Sequence, residues 1–181
     1  MAQVERAIAL GLEGTDAQIA LSQARRVQRR FAEGLEAAER AVELGPSDVF
    51  AWHNLSLGQL CCGLCKAALE SAERAIDLDP LPNPWALMNL SAALWANRRH
   101  DEAIRLATES LLRVPDLWFP QAQRMYALYE SGRIAEARTD AARLLVRLPR
   151  LSAEKLTLQF ADDVFELRER VIAAARGSGM P

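Results

Sequence analysis

The sequence predicts an all-α solenoid of stacked helix-turn-helix repeats closed by a C-terminal capping helix. Three observations predict it. A phrase recurs at a constant interval, as Glu5-Arg6-Ala7-Ile8, Glu39-Arg40-Ala41-Val42 and Glu73-Arg74-Ala75-Ile76. Pro46, Pro80, Pro115 and Pro149 keep nearly the same interval. No sustained two-residue alternation signals a strand. A period of about 34 residues means one supersecondary unit piled on its neighbours, with a continuous core between units.

The elements follow in order. Met1 to Leu12 carry Glu5 and Arg6 among apolar residues and read as an amphipathic helix, not as a signal peptide. Residues 1–14 are thus the second helix of a partial repeat. Four repeats then occupy 15–48, 49–83, 84–117 and 118–149. Each has a first helix of about 14 residues, a tight turn and a second helix of about 12. Asp48, Asp101 and Ser152 stand where N-caps belong. The four prolines stop the second helices. Beyond Pro149 the repeat fades, and 150–181 form a helical cap. This cap has a short helix over Ser152 to Gln159 and a longer one over Asp162 to Arg176. Val164, Phe165, Leu167, Val171 and Ile172 face the core, and Gly177 and Gly179 stop the second helix.

With each closing proline set as position 32, the repeats align. Position 8 reads Ser22, Ser56, Ser91, Met125, and position 20 reads Gly34, Ala68, Ala103, Ala137. Position 24 reads Ala38, Ala72, Ala107, Ala141, and position 27 reads Ala41, Ala75, Ser110, Leu144. Small residues at these points let helices cross at the short end of the usual separation of about 8–10 Å. Trp52 and Leu87 at position 4 and Leu55 and Leu90 at position 7 fill the gaps between them. In this register the chain resembles the tetratricopeptide repeat family. Repeat two carries the pattern most fully, with Trp52, Leu55, Ser56, Gly63, Ala68, Ala75 and Pro80. Repeat one departs at Gln18 and Arg29. Repeat four departs at Arg124 in position 7, where a shifted first helix is expected. The resemblance implies a right-handed superhelix.

The resemblance also implies a groove lined by first helices at positions 2, 5, 6, 9 and 12. Position 2 gives Phe50, Trp85 and Phe119, and position 5 gives His53 and Met88. Position 6 gives Asn54, Asn89 and Gln123. Position 9 gives Leu57 and Tyr126, and position 12 gives Trp95. Aromatics offer much contact surface for little lost entropy, and amides can pair with both groups of a peptide backbone. The expected function is a scaffold that binds a protein or peptide segment in this groove. Gripping a C-terminal carboxylate is not expected, because Ile19, His53 and Met88 stand where lysines would be wanted.

The ending runs from Leu151-Ser152-Ala153-Glu154-Lys155-Leu156 through Phe160-Ala161-Asp162 to Gly179-Met180-Pro181. It is similar to that of bacterial tetratricopeptide arrays fused behind nucleotide-cyclase or winged-helix regulatory domains. That likeness implies an alternative, a regulatory or sensory domain of a larger signalling enzyme or transcription regulator. The partner would then be the protein's own N-terminal domain. A partial first repeat leaves a stacking face through which a homodimer could also form.

Other chemistries find little footing. Net charge is −2, which gives no field to attract nucleic acid or an anionic membrane. The run Arg25, Arg26, Arg29, Arg30 spreads over more than one helical face, with Glu33, Glu36 and Glu39 close behind. Cys61, Cys62 and Cys65 are odd in number and closely spaced, which suits a reducing cytoplasm rather than a disulfide framework. Cys61 and Cys62 point about 100° apart on a helix and cannot both ligate one metal. No phosphate loop, nucleophile elbow or zincin spacing occurs. No catalytic residue, cofactor or metal is expected.

Overall fold

The computed structural model describes residues 14–79 and 81–181. The expected helix within 1–12 lies outside the described residues. Contacts divide the chain into two units, Met1–Leu81 and Pro82–Pro181. Among the described residues there are ten α-helices and no strand.

Unit one holds two helical hairpins. The first is α1 (Thr15–Val27) with α2 (Phe31–Leu44), and the second is α3 (Val49–Cys61) with α4 (Cys65–Leu78). Each first helix packs on its own second helix, and α2 packs on α3. Unit two repeats the plan with α5 (Pro84–Ala96) on α6 (His100–Arg113) and α7 (Trp118–Glu130) on α8 (Ile134–Arg147). It ends in α9 (Ala153–Thr157) and α10 (Phe165–Gly177). No helix among the described residues is long and apolar enough to cross a membrane.

The small residues make the seam. Gly34, Ala68, Ala103 and Ala137 are buried, as are Ala38, Ala72, Ala107 and Ala141. Hydroxyls tie the hairpins shut across it: Ser56 Oγ donates to the Ala68 carbonyl at 2.8 Å, and Ser91 Oγ to the Ala103 carbonyl at 2.9 Å. Met125, which takes the serine's place in the fourth hairpin, is itself fully buried.

The helix ends depart from the expected caps in one place. Asp48 accepts from the amides of Phe50 and Ala51, and Ser152 from that of Lys155. Asp101 does not cap, because α6 starts one residue earlier at His100 and takes Asp101 into its first turn. Asn83 caps α5 by accepting from the Ala86 amide at 3.0 Å.

Each hairpin turn places one residue in the left-handed region: Arg29 (φ 61°), Gly63 (76°), Arg98 (62°) and Gly132 (80°). The turn geometry is therefore imposed by the packing of the two helices, even where a side chain makes it costly. The other departure, Arg124, leaves α7 an uninterrupted helix of 13 residues, as long as α1, α3 and α5. The expected shift does not occur, because Arg124 meets the buried Asp140 of α8 in two parallel bonds of 2.7 Å. In α10, Leu167 and Val171 are buried, but Phe165 faces solvent, because it opens the helix at its first position.

The space around Gly132 is open, so only its backbone should resist a side chain. Gly132→Ala is expected to cost about 1 kcal/mol in urea unfolding, with Gly132→Asn costing less, since asparagine tolerates this region.

Candidate functional site

In unit one, Phe50 is the second residue of α3 and remains 62% exposed. The helix start fixes it there, since its amide is held by Asp48 at 2.8 Å. One turn on, His53 lies beneath it, with ring centroids 6.4 Å apart. Both His53 and its neighbour Asn54 are buried. The Asn54 amide is already engaged: Nδ2 donates to the Phe50 carbonyl at 2.8 Å, and Oδ1 accepts from Arg26 Nη2 at 3.1 Å. Leu57 is half-buried. Arg26 also lies against Cys61, whose thiol pKa is pushed up to about 11, chiefly by burial. A protonated, buried thiol behaves as a small packing group.

In unit two, Trp85 stands on the first turn of α5 and is 56% exposed. Phe119 holds the equivalent position on α7 and is half-buried. Its neighbour Trp118 is also exposed, and the two rings meet edge to face at 5.2 Å. Trp118 is not among the residues expected from sequence. Its place at the opening of a first helix, beside a position assigned to the groove, is the signal that marks it. Met88 and Asn89 are buried. Gln123 is buried too, and neither of its amide atoms has a hydrogen-bond partner among the described residues.

Two further residues expected in the groove are buried, as are His53, Asn54, Met88, Asn89 and Gln123. Trp95 and Tyr126 are 2% and 1% exposed, so neither can line an open surface. They pack on each other at 5.3 Å between centroids. The cause is the C-terminal segment. Arg170 of α10 lies 4.5 Å above the Trp95 ring and donates to the carbonyls of Trp95 (2.8 Å) and Ala96 (3.0 Å). It also meets Glu130 at the end of α7 in two bonds of 2.7 Å. Gly177 lies directly on Tyr129, where an added Cβ would collide with the ring. The cap therefore does not merely finish the stack. It covers the later part of the first-helix face, leaving Trp85 and Trp118 on the early turns exposed and Phe119 half-buried beside Trp118. Among the described residues no group of three or more His, Cys, Asp or Glu is placed to hold a metal ion.

These hairpins match known proteins in sequence and in fold. The family model described as tetratricopeptide repeat (TPR) matches residues 2–49 and 63–116, more than half of the sequence. The chain belongs to the tetratricopeptide repeat family. Among solved structures, this TPR chain is similar to a thermophilic TPR protein from Thermus thermophilus, at 20% identity and a TM-score of 0.66. That match covers 89% of this chain and 98% of the other. PilW, a type IV pilus biogenesis factor, matches at 16% identity and 0.69, covering 98% and 79%. YrrB, described as a TPR protein with an unusual peptide-binding site, matches at 15% and 0.59, covering 97% and 90%. At such identities the likeness establishes the fold. No curated protein sequence matches the chain.

Arg170→Ala leaves the mostly buried Glu130 carboxylate without its fork and is expected to cost about 3 kcal/mol in urea unfolding. Arg170→Lys should recover little of that, because an ammonium cannot make the bidentate pair. Burial holds the imidazoles of His53 and His100 below their ordinary value, only partly offset by Asp79 and Glu130 respectively. The unfolded chain therefore binds more protons than the folded one between the depressed value and about 6.5. Stability should be full above that window and fall as pH drops through it, and His53→Gln should flatten the loss in equilibrium melts.

Proposed function

We propose that this TPR chain is a protein-interaction scaffold that binds a polypeptide segment on the early turns of its first helices. The observation that carries the reading is the set of large apolar rings at the openings of the first helices, three exposed and one, Phe119, half-buried. Phe50 stands in unit one, and Trp85 with the Trp118–Phe119 pair in unit two. Each ring can bury on the order of 150 Å² against a partner. His53, which lies against the Phe50 ring, and Asn54, Met88, Asn89 and Gln123 are buried and do not meet a partner directly. After association costs, micromolar affinity is the sensible scale.

A second reading makes the partner the protein's own effector domain, a nucleotide cyclase or a winged-helix regulator. It is favoured by the C-terminal segment that carries that resemblance. That segment is folded into unit two, with the Ala153 amide donating to the Pro181 carbonyl at 2.8 Å. A homodimer, and a cytoplasmic setting, belong to the same set of proposals.

Selecting binders from a displayed random-peptide library and measuring them by calorimetry tests the first reading. The double variant Trp85→Ala, Phe119→Ala should weaken selected peptides at least tenfold with helicity unchanged, because buried aromatic anchors dominate such interfaces. Undiminished binding by that variant would remove the proposal for unit two, and Phe50→Ala tests unit one in the same way.

A further inference from the structure

Unit two carries a groove on the side of its second helices. Gln121 and Arg124 leave α7 on the side opposite Phe119, Gln123 and Tyr126, as the helical turn dictates. They floor a groove between α6 and α8 of about 910 Å³. A smaller one of about 380 Å³ continues it over Leu128. One wall is Thr108, Leu111, Leu112 and Pro115, at helical spacings of three and four. The other is the row Arg138, Ala142, Val146 beside the row Thr139, Arg143, Arg147. Both rows repeat at every fourth position, so α8 shows the groove a straight ridge.

The lips are apolar and wet: Leu112 is 78% exposed and Val146 81%. The charges are one-sided. Arg124 is neutralised by Asp140, Arg133 by Glu136 at 2.7 Å, and Arg147 is held by Asp116. Arg138 and Arg143 have no ion-pair or hydrogen-bond partner among the described residues, and the main groove's lining contains no carboxylate. Two uncompensated guanidinium groups thus flank an exposed aliphatic strip. No aromatic side chain lines the groove, so bases have nothing to stack on. It is open along its length, unlike the enclosed pockets that bury small ligands.

We propose that this outer groove docks an amphipathic helix of a partner protein, one with an aliphatic ridge and a flank of Asp and Glu. The ridge seats between Leu112 and Val146, and the carboxylates face Arg138 and Arg143. This surface is separate from the aromatic one, and the proposal does not depend on that reading.

The probe is a fluorescein-labelled synthetic 15-residue helix with leucines at i, i+3, i+4 and i+7 and glutamates beside them. Its counterpart has every glutamate replaced by lysine. Anisotropy with the full chain should show the glutamate peptide binding at 50 mM salt and weakening at 300 mM, with no binding of the lysine peptide. Arg138→Glu with Arg143→Glu should weaken it at least tenfold, and Leu112→Asp with Val146→Asp likewise. All four sites are exposed, so circular dichroism should not change. Trp85→Ala should leave the affinity as it was. Equal binding of both peptides, no binding of the glutamate peptide up to 1 mM, or loss with Trp85→Ala in place of the groove variants overturns the proposal. Sedimentation velocity gives one more outcome: a native dimer made monomeric by Leu112→Asp would mean that a second copy covers the groove, and the partner-helix proposal fails.

Discussion

Close approach of paired helices is the constraint on which the rest of this structure depends. Where Gly34, Ala68, Ala103 and Ala137 meet the preceding helix there is room for at most a methyl group. That closeness lets the Ser56 and Ser91 hydroxyls reach carbonyls on the facing helix. It also sets the rotation of each first helix about its axis. With the small positions turned inward, the second residue of the helix is turned out, and Phe50 and Trp85 stand in solvent for that reason. The exposed rings are thus a consequence of the seam.

The places where the repeat pattern breaks show how strongly packing overrides local preference. Arg29 and Arg98 adopt a backbone conformation that glycine would adopt freely. The two helices on either side leave the chain no other way to turn. Arg124 enters a position where leucine would pack, and the cost of burying its charge is offset by a matching carboxylate, Asp140, across the hairpin. The same ion pair also serves as the floor of the outer groove, where it leaves Arg138 and Arg143 as the uncompensated charges.

The C-terminal segment decides how much of the first-helix face is available. Arg170 replaces solvent over Trp95 and adds donors to two carbonyls at the end of α5, of which that of Trp95 also accepts from the Arg98 amide. Together with Glu130 it makes a buried polar knot that fixes α10 to α7. A face that would be one long aromatic strip becomes a short open stretch beside a covered one.

The helical hairpins, their order and the small-residue seam are legible in the residues alone, because the constant period and the four prolines act locally and repeat in register. That Phe50, Trp85 and Phe119 occupy one repeat position is legible there too. Which side chains stay accessible depends instead on contacts between distant parts of the chain. Trp95 and Tyr126 share the helical phase of groove residues, yet Arg170 and Gly177, much further along the chain, lie over that face. Nothing in the period of the first helices encodes that cover. The outer groove was equally illegible, since its walls belong to separate hairpins and its charge depends on which arginines find partners. Periodicity reports the phase of a residue on its own helix, whereas exposure and charge balance are properties of what other parts of the chain bring against it.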